Sequence, residues 1–263
     1  MYNMEDEILF FNVKEQTENC IEWIRNYMVG KPKNIIIGIS GGKDSTVVAA
    51  LCAKAIGADR VIGVMMPNGE QKDISDSKRV CEHLKIKNYT INIEDAYMGL
   101  TNRIRDCALN GQEYPNHQYK TNTPARLRMV TLFGVAAFHD GIVVNTCNLS
   151  EDMQGYSTFF GDSAGCFAPI AKFTTEEVVA IGDYLELPKD LVHKAPSDGM
   201  CGKTDEDNLG YTYHEINEVI RNDIRGEHYD AIMERYRKNK FKLDIIQMPA
   251  YDPALPNFIV LNA

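Results

Sequence analysis

The chain has 263 residues, 44% of them hydrophobic, and a formal net charge of −9. That length can bury a substantial core as one large domain, while the acidic balance argues against nucleic acid as a partner, since phosphate backbones call for a basic surface. No apolar run approaches the roughly 20 residues of a membrane span, and residues 1–7 are acidic and polar where a secretory leader would be basic and then apolar, so a cytoplasmic protein without a membrane partner is expected. The seven cysteines (20, 52, 81, 107, 147, 166 and 201) are odd in number, scattered and never paired as Cys-x-x-Cys. They read as small buried hydrophobes in a reducing cytosol. The six histidines show no metal-ligand spacing.

Taken in chain order, apolar clusters predict a helix over 4–29, ended by Gly30-Lys31-Pro32, and then a strand over 34–39. Val47, Val48, Leu51, Cys52, Ala55 and Ile56 recur at helical spacing before Gly57, and a second strand follows over 60–66. A loop at Pro67-Asn68-Gly69 leads to a helix over 73–84, a strand over 88–93 and a helix from about 95 to 109. A helix over 121–138 and a strand over 141–146 complete this part. Strands alternating with helices predict an α/β fold with a central parallel sheet between two helical layers. Ligands of such sheets sit beyond the carboxyl ends of the strands, so the loops after Ile39, Met66 and Thr146 are expected to converge. From residue 147 the pattern changes to a long loop rich in Gly and aromatics, a helix over 174–186, a second loop over 188–207, helices near 211–224 and 228–239, and a Pro-broken tail over 251–263. One domain is expected over 1–263: the N-terminal helix 4–29, a nucleotide-binding core 34–150, and substrate loops with C-terminal helices over 151–263.

The chemistry concentrates at Gly38-Ile39-Ser40-Gly41-Gly42-Lys43-Asp44-Ser45, between the apolar run 35–37 and a helix. Glycines let the backbone approach an anion, Ser40 and Ser45 can donate hydroxyl hydrogen bonds, and the helix start turns its free N–H groups and positive dipole end to the same place. This is a pyrophosphate cradle, but neither common kind. A Walker A loop would need Gly where Ile37 stands and Ser or Thr where Asp44 stands; a dinucleotide fingerprint would need Gly at Ser40. Asp44 beside phosphates implies a bridging cation, and Mg²⁺ takes one or two carboxylates plus phosphate oxygens. Glu151, after the strand end at Thr146, is the expected second carboxylate. Alone it reads as the charge of a helix N-terminus; paired with the loop it reads as a metal ligand. On the helix at 121–138, Arg126 and Arg128 lie about 200° apart. Arg126, grouped with Met129, Val130 and Phe133, is expected to point inward toward a phosphate or carboxylate, with a solvated charged turn as the plain alternative. Arg128 is expected in a structural or interface salt bridge.

The loop at 38–45 resembles the Ser-Gly-Gly-x-Asp-Ser signature of ATP-pyrophosphatases. Together with Met66-Pro67 and Gln71, Asn122-x-x-Ala125-Arg126-x-Arg128-Met129, and Asn148-x-Ser150-Glu151-x3-Gly155-Tyr156-x-Thr158-x-x-Gly161-Asp162, it makes the chain resemble an ammonia-dependent NAD synthetase. Pro169-Ile170, Lys194-x-Pro196-Ser197 and Lys242 are weaker echoes. The resemblance implies a Rossmann-like fold of the adenine nucleotide alpha hydrolase type. It places ATP on Gly38 to Ser45, Thr146 and Ser197, Mg²⁺ on Asp44 and Glu151, and deamido-NAD on Arg126 and Lys242. It also implies a homodimer, with substrate bound near the interface. This chain departs from the family at four places. Phe159 stands where the family has Lys after Gly-x-x-Thr, Cys166 where Gly-Asp-Gly-Gly-x-Asp closes, Thr175 where a Lys follows the Pro169 region, and Phe241 where His precedes Lys242. The departures leave the ATP half intact and fall in the loops expected to recognise and cover the acceptor.

The implied reaction has two steps. The nicotinate carboxylate of deamido-NAD attacks the α-phosphorus of ATP and pyrophosphate leaves into the 38–45 loop. Ammonia then attacks the acyl adenylate and AMP leaves. The nucleophile belongs to the substrate, so no protein side chain is expected to act as a catalytic nucleophile, and free ammonia is the expected nitrogen source. Three alternatives stay open: an ATP-pyrophosphatase ligase with another acceptor, a tRNA-thiolating enzyme, and a non-catalytic nucleotide-binding module.

Overall fold

The apolar run 35–37 forms the centre of β1 (Asn34–Gly38), and its three isoleucines divide between two faces. Ile35 and Ile37 join one buried cluster and Ile36 the other, as the two-residue period of a strand requires. Both faces are covered, which is why the run is continuously apolar. β1 pairs in parallel with β2 (Val61–Met65) on one side and β4 (Gly141–Val143) on the other, so that Ile36 stands opposite Ile62 and Val143. β3 (Lys87–Thr90) extends the sheet beyond β2, giving the order β3-β2-β1-β4. The computed structural model describes residues 11–71, 74–107, 115–194, 205–245, 248–256 and 258, and within them the expected α/β fold with a central parallel sheet is present.

Against one face pack α1 (Val13–Tyr27), α2 (Lys43–Ile56), α3 (Ile74–Leu84), α7 (Thr175–Tyr184) and α8 (Lys189–Val192). Against the other packs α5 (His117–Phe138) through Met129, Leu132, Val135 and Ala136, with α4 (Glu94–Asp106) beside it. A third cluster joins α6 (Leu149–Met153), α10 (Tyr213–Asn222) and α11 (Tyr229–Ile245), with Leu209 of α9 (Asp205–Leu209) at its edge. This third cluster sets α6 against the carboxyl end of the sheet.

The structure corrects several element boundaries. α1 starts at Val13 because Asn12 caps it, its side chain accepting from the Glu15 amide. α5 starts at His117 under an Asn116 cap and carries Pro124 inside the helix. A proline expected near the start of a helix is tolerated one turn further in. The 88–93 strand pairs only to Thr90, yet the Ile91 and Ile93 amides still donate to the Met65 and Pro67 carbonyls. Sequence periodicity gives no sign of α6, which is too short to show any. α11 continues past 239 to Ile245.

Candidate active site

The cradle at 38–45 owes its shape to its own short side chains. The Ser40 Oγ accepts from the Gly42 amide (3.2 Å) and lies 3.0 Å from the Ser45 Oγ, while the Ser40 amide donates to the Ser45 Oγ (3.3 Å). Gly41 sits at φ +83°, and a Cβ there would come within 3.0 Å of the Ser77 amide nitrogen and the Asp76 Cβ. Only glycine fits between the loop and α3. Gly42 caps α2 without a side-chain bond, so the first-turn amides of α2 face the cradle with no intrahelical acceptor, which is the arrangement that binds phosphate.

Asp44 is the second residue of α2, and both its oxygens are engaged. Oδ1 accepts from the Asn148 Nδ2 at 2.9 Å, and Oδ2 lies 3.0 Å from the Lys43 Nζ. Asn148 in turn caps α6 in a reciprocal box: its side chain accepts from the Glu151 amide (3.1 Å), and the Glu151 Oε2 accepts from the Asn148 amide (3.4 Å). Thr175, at the start of α7, donates from Oγ1 to the Asn148 Oδ1 (3.3 Å). Asn148 is therefore the hub that fixes Asp44 and Glu151 together across the ends of β1 and β4. Burial first, and then the charge of Asp44, push the Glu151 carboxyl well above the usual carboxylate range. Two neighbouring half-buried carboxylates of this kind fit a divalent cation that also takes phosphate oxygens. Among the described residues no group of three or more His, Cys, Asp or Glu could hold a metal on its own.

Glu151 is the helix N-terminal charge its sequence allowed, and Asn148 links it to Asp44. The Asn-x-x-Glu spacing is a capping-box pattern, and that signal would have found Asn148. Thr146 follows β4 at the same carboxyl end of the parallel sheet as the cradle. Ser197 lies outside the described residues. Lys43 does not reach into the cradle; its ammonium is buried against Asp44, over the ring of Tyr213.

The two arginines of α5 face the opposite way from the sequence expectation. Arg126 is exposed, on the side that carries Val130 (68% exposed) and Phe133 (44%), and its Nε donates to the Phe159 carbonyl at 3.1 Å. Arg128 is the inward one: its Nε donates to the Met66 carbonyl at 3.0 Å, and burial lowers its pKa. No salt bridge of Arg128 accompanies this bond among the described residues. Lys242 donates to the carbonyls of Gly155 (2.7 Å) and Ser157 (3.0 Å), and the Arg235 Nε to that of Gln154 (3.0 Å). Thr158 joins two of the sequence blocks, with its Oγ1 on the Asn122 Oδ1 (3.1 Å) and its amide on the Asp162 Oδ1 (2.9 Å).

A parallel α/β sheet with this loop at the end of β1, and two carboxylates pinned beside it, is an arrangement suited to binding nucleotide phosphates beyond the strand ends. Comparison with known proteins narrows that reading. The profile of the NAD synthase family matches residues 16–247. The NH(3)-dependent NAD(+) synthetase of Pyrococcus furiosus is 35% identical over 210 residues, covering 80% of this chain and 78% of that protein. The protein of the same name from Carboxydothermus hydrogenoformans is 32% identical over 242 residues, covering 90% and 98%. The solved structure of NMN synthetase from Francisella tularensis superposes with a TM-score of 0.80 at 31% identity, covering 91% of this chain and 99% of that one. The chain belongs to the NAD synthase family of carbon–nitrogen ligases.

Proposed function

We propose that this chain converts deamido-NAD to NAD with ammonia and ATP, releasing AMP and pyrophosphate. The observation that carries this reading is the Asn148 hub, which locks Asp44 of the phosphate cradle to Glu151 at the next strand end. The relatives named as NH(3)-dependent NAD(+) synthetases support it. The amides of the cradle and the α2 dipole would receive the leaving pyrophosphate, and the acceptor carboxylate would be held for in-line attack by the loop 155–166. Asp44 and Glu151 would hold Mg²⁺, which when bound neutralises charge building up on the phosphates. The long-range bonds from Arg126 and Lys242 shape the acceptor loop, consistent with their proposed place at the substrate. The reaction is expected to run in the cytoplasm; among the described residues no helix is long and apolar enough to cross a membrane. A homodimer would cover the exposed apolar face of α5, and sedimentation of the purified chain tests that.

Incubation with deamido-NAD, MgATP and ammonium tests the activity: NAD, AMP and pyrophosphate are the expected products. Formation of ADP would sink the reading. So would an inert deamido-NAD in an enzyme that still exchanges pyrophosphate into ATP. A second acceptor has a specific observation in its favour. The Francisella structure is that of an NMN synthetase, and Phe159 and Cys166 in the acceptor loop and Phe241 on α11 stand where the family pattern has two cationic or polar groups and an acid. The deamidated mononucleotide, run beside deamido-NAD in the same assay, ranks the two by kcat/KM.

A further inference from the structure

Lysine at the first position of a helix opposes the helix dipole, and burying its ammonium adds a desolvation cost. Lys43 does both: it opens α2 and is 4% exposed. A lysine in a phosphate loop ordinarily reaches outward to the phosphates as a point charge. Here the side chain turns back, placing Nζ 3.0 Å from the Asp44 Oδ2 and 5.8 Å from the centroid of the Tyr213 ring, with Glu151 and Asp205 within electrostatic reach. The Asp44 Oδ1 is already taken by Asn148. A cation arriving at Asp44 therefore shares an oxygen with Asn148 or with Lys43, and in either case stands beside the Lys43 ammonium. Lys43 cancels the charge of Asp44, the carboxylate that sits in the cradle itself.

We propose that Lys43 is a built-in cation of the Asp44–Glu151 pair, set so that a divalent ion is held strongly only when nucleotide phosphates arrive with it. This rests on the reading of Asp44 and Glu151 as metal ligands. The order of loading follows from charge. A carboxylate whose charge is already offset by Lys43 and whose two oxygens are both engaged binds a divalent ion weakly by itself, whereas the triphosphate supplies both charge and oxygens. Lys43 thereby discriminates between free metal and the metal–nucleotide complex.

The test is Mn²⁺ binding to the full-length protein without nucleotide, followed by electron paramagnetic resonance, for the wild type, Lys43→Met and Asp44→Asn. Lys43→Met should bind Mn²⁺ on the order of tenfold more tightly than wild type, the scale of one neighbouring unit charge in a partly screened site. Equal or weaker binding by Lys43→Met, with Asp44→Asn weaker still, would overturn the role of Lys43 and leave the metal ligands standing. Asp44→Asn binding as well as wild type would overturn the ligand assignment and this inference with it. Should Lys43→Met fail to melt cooperatively, Lys43→Gln carries the same expectation and the same overturning result.

Discussion

The phosphate half and the acceptor half of the site are built in opposite ways. Around the cradle, short polar side chains bond to one another: Ser40 to Ser45, Asp44 to Asn148, Asn148 to Thr175. Around 154–159, long cationic side chains from other elements capture backbone carbonyls: Arg235 on Gln154, Lys242 on Gly155 and Ser157, Arg126 on Phe159. The cradle loop itself is held by its own residues and joined to the next strand end by side chain–side chain bonds, whereas the acceptor loop is gripped at its backbone by side chains of other elements. A loop of the second kind can change the residues it presents without losing its course. The four departures from the family pattern include three in or near this half, at Phe159, Cys166 and Phe241, and one, Thr175, that has been absorbed into the Asn148 hub.

The sharpest way to break this contrast is Asp44→Asn. It should lower kcat/KM on the order of 10²–10³ while the chain still melts cooperatively; steady-state AMP release with a parallel thermal melt measures both. Unchanged turnover would remove Asp44 from the machinery. Gly155→Ala attacks the other half through its backbone. Gly155 has φ +61°, and an added Cβ would lie 2.3 Å from the Asn239 Cβ, so α11 must back away from the loop. A loss of roughly 2–4 kcal/mol is expected from denaturant unfolding.

Lys242→Met keeps the bulk of the side chain and removes two charge-assisted bonds, each of which exceeds an ordinary one in strength. The acceptor KM should rise about tenfold while the KM for ATP stays near wild type; an equal rise in both would show that the two halves are not separable. Outside the site, the smallest effect is expected at Glu215 and His228, which meet at 2.6 Å between the N-terminal ends of α10 and α11. Backbone bonding at Thr212 and the His228 contact hold the Glu215 carboxyl down at about 2, and the Glu215 contact raises His228. The Glu215 contribution is present above its unfolded pKa and lost as pH falls toward 2. The His228 contribution is present below its unfolded pKa and lost as pH rises through its raised folded value. Glu215→Gln should therefore lower Tm more at pH 5.5 than at pH 8.5; a pH-independent difference would mean the ion pair is not the cause.

The halves also differ in how much of them could be read from residues alone. The cradle was legible because a strand, two glycines, two serines and an aspartate need only their neighbours to form it. Its partner Glu151 was legible as a carboxylate at a strand end, although Asn148, which does the joining, went unassigned as the hub. The inward direction of Arg126 was misread. The expected group of Arg126 with Met129, Val130 and Phe133 mixes two faces: Val130 and Phe133 are exposed beside Arg126, whereas Met129 belongs with Leu132 and Ala136 on the face turned to the sheet. Periodicity finds a face and does not say which side of a weakly amphipathic helix is covered.

What the sequence by itself determined, then, is whatever is settled within single strand–loop–helix units: the alternation that gives the α/β class, the phosphate cradle with Asp44, and a carboxylate at the end of β4. Backbone geometry and short side chains leave few alternatives over such distances. Tertiary structure alone decided where the long side chains go: Lys43 back onto Asp44, Arg128 inward to Met66, Lys242 onto the carbonyls at 155 and 157. An ammonium or guanidinium on a flexible stem has many rotamers of similar energy. Only the acceptor that folding brings within reach selects one of them.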